Sequence, residues 1–198
     1  MTAEFELEQE PAVAASVFGA GIDQARAYAK ALAADSDTLG LLGPREMPKL
    51  WSRHILNSAV VAELVADGKR VADVGSGAGL PGIPMAIAQP NAQFVLIEPM
   101  ERRASWLQQQ VEQLGLKNVT VLRARAEEAG KAHFDIVTAR AVSALPKLIR
   151  MTFPLLKPGG ELLALKGSKA QEEIDESQTL DKKFKIAKFE IVTAGKSK

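Results

Sequence analysis

Apolar positions along this chain repeat with two periods. Ile22, Ala25, Tyr28, Ala29 and Leu32 stand at helical spacing and predict an amphipathic helix over residues 23–34, with Tyr28 as core. Leu50, Trp51, Ile55, Leu56, Val60, Val61 and Leu64 mark a second helical stripe within residues 40–64. Short apolar runs at 71–74, 94–97, 119–122, 134–138 and 161–165 read as buried strands, separated by helical stretches at 102–114, 145–156 and 170–180. Strands alternating with helices predict an α/β fold on a parallel sheet. Asp67-Gly68 turns the chain into the first strand, Pro158-Gly159-Gly160 into the fifth, and a sixth strand is expected at 189–192. Residues 2–10, with four glutamates, read as a frayed acidic tail, and 11–18 as the start of a helix.

The first strand opens the most informative stretch, RVADVGSGAGLPGIP at residues 70–84. A buried strand carrying one carboxylate, Asp73, breaks into the glycine loop Gly75-Ser76-Gly77-Ala78-Gly79. Pro81 and Pro84 then fall where a first helical turn has no use for a proline N–H. Glycines let backbone N–H groups approach a ligand, and the helix start adds a positive dipole end. The loop also spells the G-x-G-x-x-G of NAD-binding enzymes. Its spacing from the strand end, Asp-x-Gly-x-Gly-x-Gly, puts the carboxylate inside the strand, which suits a cationic ligand such as S-adenosylmethionine better than a pyrophosphate. Both cofactors stay open on the motif alone.

Composition narrows the chemistry. With 198 residues, 46% hydrophobic and 25% charged, the chain suits one soluble domain with a modest addition. It lacks a membrane-length apolar run and a signal-peptide layout, so a cytosolic location is expected. No cysteine is present, which excludes disulfide scaffolds, thiolate metal sites and cysteine nucleophiles. Two histidines, His54 and His133, without metal-ligand spacing argue against a metal centre. The net charge of +1 says nothing of a polyanion partner, and the lysine-rich end, with Lys182, Lys183, Lys185, Lys188, Lys196 and Lys198, reads as solvated surface.

Ligands of open parallel sheets collect beyond the carboxyl ends of the strands. There the chain places the glycine loop, Glu98, the Arg125-Ala126-Glu127 corner, Arg140 and Lys166. Glu98 follows the glycine loop at the distance of a ribose-binding carboxylate, a device both cofactors use. Arg45, Lys49, Arg53, Arg102, Arg103, Arg123, Arg125, Arg140, Lys166 and Lys169 gather at the same edge, which suits a phosphate backbone. The missing cysteine excludes a covalent route to pyrimidine carbon, and Thr138-Ala139-Arg140-Ala141 replaces the acidic or amide Pro-Pro-aromatic pattern of exocyclic-amine methylation. An acceptor that is already nucleophilic, such as guanine N7, fits, with catalysis by in-line positioning and no side-chain base. Two other classes remain: an NAD-linked oxidoreductase, and a non-catalytic RNA-binding module on the same fold.

Gly43-Pro44-Arg45-Glu46, Arg53-His54-Ile55-Leu56-Asn57-Ser58, the run from Asp73 to Pro84, Ala139-Arg140-Ala141 and Ala164-Leu165-Lys166-Gly167 together resemble the small-subunit ribosomal RNA guanine-N7 methyltransferases, also called glucose-inhibited division protein B. The Gly-Pro-Arg-Glu segment looks like the actinobacterial branch, and Leu-Pro-Gly-Ile-Pro is the most specific part. The resemblance covers residues 39–169. It implies a class I S-adenosylmethionine-dependent methyltransferase, a Rossmann-like three-layer α/β fold at 67–198 behind an N-terminal helical extension at 1–66. The implied activity is methylation of guanine N7 in the 530 loop of 16S ribosomal RNA, with that RNA or the small ribosomal subunit as partner and the protein a monomer. Asp73, Gly75, Ser76, Gly77, Gly79, Leu80, Pro81, Glu98, Pro99, Ala126, Glu127 and Arg140 are then the cofactor-binding candidates. Arg140 is also the catalytic candidate, at the junction of cofactor and RNA. Arg45, Lys49, Arg53, His54, Arg103, Arg125 and Lys166 are the RNA-binding candidates. Family members return through a final antiparallel strand. This sequence stops at Ala194-Gly195-Lys196-Ser197-Lys198, so that strand is expected to be missing or the sheet to close differently.

Overall fold

The apolar runs form β1 (Arg70–Val74), β2 (Gln93–Ile97), β3 (Val119–Leu122), β4 (Phe134–Arg140) and β5 (Leu156–Leu165). They lie parallel in the order β3-β2-β1-β4-β5, so all carboxyl ends share one edge and the order reverses between β1 and β4. A computed structural model of the chain describes residues 6–131 and 133–195, so Thr2 to Phe5 of the expected acidic tail and the lysines at 196 and 198 lie outside the described residues. Val71, Ala72 and Val74 are buried, as a central parallel strand requires, and Asp73 is buried among them.

Helices α1 (Ala14–Phe18), α2 (Ile22–Leu39) and α3 (Asn57–Ala59) precede the sheet. Within it come α4 (Gly82–Ala88), α5 (Glu101–Gln113) and α6 (Leu145–Thr152), followed by α7 (Ala170–Ser177) and α8 (Asp181–Phe184). One apolar cluster runs from Tyr28, Leu32, Leu50 and Ile55 to Ile83, Met85, Phe94 and Leu107, so the early helices and the sheet bury their faces against each other. No helix among the described residues is long and apolar enough to cross a membrane.

Four elements depart from the periodicity. Helix α2 extends past residue 34 because side-chain bonds carry its polar last turn: within the helix Ser36 Oγ donates to the Leu32 carbonyl at 2.5 Å, and from α5 Trp106 Nε1 donates to Asp35 at 2.7 Å. Residues 40–64 keep their buried stripe but not a regular helix. They pass through a 3-10 stretch at Pro44–Lys49, a π-helical turn at Leu50–Leu56, α3, and a second 3-10 stretch at Val60–Leu64. Strand β5 begins at Leu156 and not at 161, because the ladder pairs Phe134 with Leu156 and then Ile136 with Glu161, bulging the Pro-Gly-Gly segment out of an otherwise continuous strand. The sixth strand at 189–192 does not form. Phe189 packs on the Ala139–Leu148 cluster while Gly195 N–H donates to Glu63 Oε1 at 2.9 Å, and the stretch between them has no ladder partner. Among the described residues β5 therefore ends the sheet.

The turn from α4 into β2 hangs on one side chain. Buried Asn118 Nδ2 donates to the carbonyls of Ala86, Gln89 and Ala92 at 3.0, 3.4 and 3.2 Å. Asn118→Ala leaves the Ala86 and Ala92 carbonyls without this donor, the Gln89 carbonyl keeping the Ala92 N–H, and is expected to lower unfolding free energy by roughly 1–3 kcal/mol in urea titrations, with the m-value unchanged.

Candidate active site

The site begins with the buried Asp73 carboxylate at the end of β1. Its Oδ2 accepts Ser76 Oγ at 2.6 Å and Gly82 N–H at 3.0 Å, tying the strand end to the first residue of α4. A Cβ on residue 82 would stand 2.6 Å from that oxygen and 2.3 Å from Leu96 Cδ2, so only glycine allows the approach. Oδ1 is buried with no hydrogen-bond partner among the described residues. Burial pushes the Asp73 carboxyl up to about 6, against the Ser76 and Gly82 hydrogen bonds that pull it down.

Glu98 closes the other side of the loop. It is 3% exposed, and its two oxygens accept Gly77 N–H and Met100 N–H, each at 2.9 Å. Gly77 has a φ of +57°, and a Cβ there would find nothing nearer than the Gly75 carbonyl at 3.8 Å, which leaves that face of the loop open. Leu80 and Pro81 are buried beneath it, joined by a cis peptide. Pro99 is exposed beside Glu98. After β3, Ala126 is buried and Glu127 exposed, and Glu128 rather than Glu127 accepts the Arg125 N–H, at 3.0 Å. The N–H groups of Gly75, Ser76, Gly77, Gly79 and Leu80 all donate within the protein, to Ile97, Glu98 and Ser76, so it is the open face of the loop and the carboxylate on each side that suit a cationic nucleoside.

Sequence reasoning missed Tyr28's part in this. Its ring is core, as expected, but its hydroxyl donates to the Ala78 carbonyl at 2.7 Å and pins the glycine loop to α2. Nothing in the stripe of α2 signals a partner 50 residues away.

Arg140, at the end of β4, is held by the segment before the sheet. Nη1 donates to the Arg53 and His54 carbonyls at 3.3 and 3.4 Å and to Ser58 Oγ at 3.3 Å, and Nη2 meets His54 Nδ1. His54 Nε2 lies 2.7 Å from Glu46 Oε2. Burial holds His54 below the ordinary histidine value despite the Glu46 hydrogen bond, and an arginine donor against Nδ1 requires that nitrogen to be unprotonated, so the ring is neutral. His54 therefore faces inward, with both nitrogens engaged by protein, while its neighbour Arg53 is exposed.

Beyond Arg140 an open cleft of about 460 Å³ lies between the loops that follow β4 and β5. Lys166 Nζ spans it, donating to the Ser143 carbonyl and pairing with Glu173 Oε2, both at 2.7 Å. The same Glu173 oxygen accepts the Leu145 N–H at the start of α6. Of the other RNA-binding candidates, Arg45, Lys49 and Arg125 are exposed, whereas Arg103 donates to the Gly40 carbonyl at 2.9 Å.

Comparison with known proteins agrees with this geometry. The family described as rRNA small subunit methyltransferase G matches residues 21–198. The chain is 53% identical over 190 residues to the ribosomal RNA small subunit methyltransferase G of Clavibacter michiganensis subsp. michiganensis, covering 96% of this chain and 90% of that one. It is 54% identical, with the same coverages, to the protein of that name from Leifsonia xyli subsp. xyli. Among solved structures, TYW2 of M. jannaschii in complex with AdoMet shares the fold, with a TM-score of 0.58 and 23% identity over 68% of this chain and 64% of that one.

The buried carboxylate has a signed consequence for stability. Folded Asp73 keeps its proton up to about pH 6, whereas an unperturbed carboxyl releases it near 3.8, so stability falls as pH rises through that window and stays lower above it. In Asp73→Asn the amide oxygen can still accept from Ser76 and Gly82 without a buried charge. The variant is expected to exceed the wild type by roughly 1–3 kcal/mol at pH 8, an advantage that shrinks towards pH 4.5 in urea unfolding. An advantage that grew on acidification would contradict this account.

Proposed function

The chain belongs to the rRNA small subunit methyltransferase G family, and on that premise we propose that it methylates N7 of a guanine in the 530 loop of 16S ribosomal RNA, with S-adenosylmethionine as methyl donor. The reading rests on one observation above all. Two carboxylates hold an open glycine loop at the point where the strand order reverses, and a half-buried arginine stands at the end of the neighbouring strand. When bound, S-adenosylmethionine supplies an electrophilic methyl group.

The protein's own part is to bind and orient. Glu98 has lone pairs left to accept from ribose hydroxyls, Gly75, Ser76, Gly77 and Gly79 offer backbone to the ligand, and Asp73 brings negative charge to a cationic donor. Leu80 and Pro81 support the loop from below, while Pro99, Ala126 and Glu127 flank the adenine. Guanine N7 carries an exposed lone pair and no proton, so the reaction needs no general base, only alignment of acceptor and donor. Arg140 holds the acceptor at the mouth of the cleft. Arg45, Lys49, Arg53, Arg125 and Lys166 follow the phosphate backbone, with the extension at 1–66 as the RNA-facing part of a core at 67–198. Arg103 supports this surface through Gly40. The protein acts as a monomer in the cytoplasm, on 16S ribosomal RNA or the small subunit.

The test is methyl transfer from labelled S-adenosylmethionine to 16S RNA and to small subunits lacking the modification, with N7-methylguanine mapped by chemical cleavage. One methyl group in the 530 loop is expected. RNA binding without transfer, or calorimetric binding of NAD in place of S-adenosylmethionine and S-adenosylhomocysteine, would overturn the proposal. Lys49→Glu with Arg53→Glu is expected to raise the KM for RNA about 10-fold or more and to flatten its salt dependence, with cofactor affinity unchanged.

A further inference from the structure

His54 was expected on the RNA surface, yet it is 4% exposed and sits between two charged partners inside the protein. Arginine can only donate, so His54 Nδ1, which faces Arg140 Nη2, must be the acceptor. That places the ring proton on Nε2, where it is donated to Glu46 Oε2 at 2.7 Å. The line Glu46–His54–Arg140 is thus polarised in one direction, and the tautomer follows from its two ends. The carbonyls of Arg53 and His54 and the Ser58 hydroxyl hold Nη1, while the imidazole, meeting the other arm, stops rotation about the Cζ–Nε bond. Nε–H and one Nη2–H are left for the cleft that Arg140 lines.

Local structure explains the placement. His54 lies in the π-helical turn at Leu50–Leu56, which sends His54 inward and its neighbour Arg53 outward. Glu46 comes from the preceding 3-10 stretch at Pro44–Lys49, and Arg53 Nη1 approaches the same Glu46 oxygen at 3.6 Å. The groups facing the imidazole are therefore Glu46 and Arg53 from its own segment and Arg140 from β4, with Lys49 beside Glu46 and Asp73 and Tyr28 beside Arg140. Burial and then the two arginines disfavour a second proton on the ring, while Glu46 favours one.

We infer that His54, braced by Glu46, is a positioning residue that aims the Arg140 guanidinium at the acceptor cleft. This rests on the proposed function, in which Arg140 holds the acceptor base. The residue acts through Arg140 and not through RNA, so its removal costs turnover and not RNA affinity.

The test uses the full chain at saturating S-adenosylmethionine. His54→Gln keeps a polar group near Nε2 for Glu46 but withdraws the acceptor from Arg140. His54→Asn places an amide oxygen near Nδ1 and gives up Glu46. His54→Gln is expected to lower kcat about 10- to 100-fold with the KM for RNA within about 3-fold, and His54→Asn to recover most of that loss. In the Arg140→Ala background His54→Gln should add nothing further. Multiplying losses in the double variant, or an effect confined to KM, would overturn the inference. A second readout needs no activity: nitrogen NMR of the wild type should show His54 protonated at Nε2 only, with the Nδ1 resonance shifting in Arg140→Ala. A ring protonated at Nδ1, or an Nδ1 resonance indifferent to Arg140, also overturns it. Wild-type protein with the expected tautomer but no methyl transfer would sink the proposed function and leave the positioning contact standing.

Discussion

The site depends on a single buried oxygen. Asp73 Oδ2 takes the Ser76 hydroxyl and the Gly82 N–H together, and so determines where the glycine loop leaves β1 and where α4 begins. The contact brings the α4 backbone so near the strand that residue 82 can carry no side chain. Burying a carboxylate costs stability, and its raised proton affinity is the signature of that cost. Glu98 repeats the device from β2 on Gly77, so the loop is held from both adjacent strand ends. What stays open is the loop face between them, where the ligand's charge and hydroxyls can complete an arrangement the protein alone leaves unfinished.

The helices before the sheet belong to this arrangement. Tyr28 bonds the glycine loop from α2, Trp106 on α5 reaches back to Asp35, and Arg103 reaches back to Gly40. With the shared apolar cluster, these polar contacts link the extension to both halves of the site, the loop after β1 and the arginine after β4. The segment proposed to face RNA and the loop proposed to hold cofactor are therefore joined through a few hydrogen bonds, of which the one from Tyr28 to the Ala78 carbonyl is fully buried.

The α/β plan was legible because strand and helix periods differ, and the meeting of the glycine loop, Asp73 and Glu98 because each stands at the carboxyl end of an apolar strand run and those ends share one edge. The identity of the family was legible from Leu-Pro-Gly-Ile-Pro and the Arg-His-Ile-Leu segment. What escaped are features whose cause lies elsewhere in the chain. The 3-10 and π-helical turns of residues 40–64 keep an amphipathic stripe, so periodicity alone reads them as one helix. Residues 189–192 have strand-like composition, but composition cannot say whether a ladder partner is present. His54 among basic residues looks like an RNA contact until the fold brings Arg140 to its Nδ1.

Arg140 shows why the extension and the sheet edge cannot be separated. A guanidinium at the end of β4 is largely desolvated, which pushes its proton affinity down and makes an unpaired cation there costly. Among the described residues no carboxylate pairs with it directly. Its hydrogen-bond acceptors, the Arg53 and His54 carbonyls, Ser58 Oγ and His54 Nδ1, all come from residues 53–58. Neutral acceptors compensate the desolvation without cancelling the charge, so the side chain is held rigidly and remains a cation facing the cleft. A direct salt bridge would have spent that charge internally. By routing Glu46 through a neutral imidazole, the structure keeps the negative partner one ring away and leaves Arg140's positive field available to a phosphate or a base oxygen.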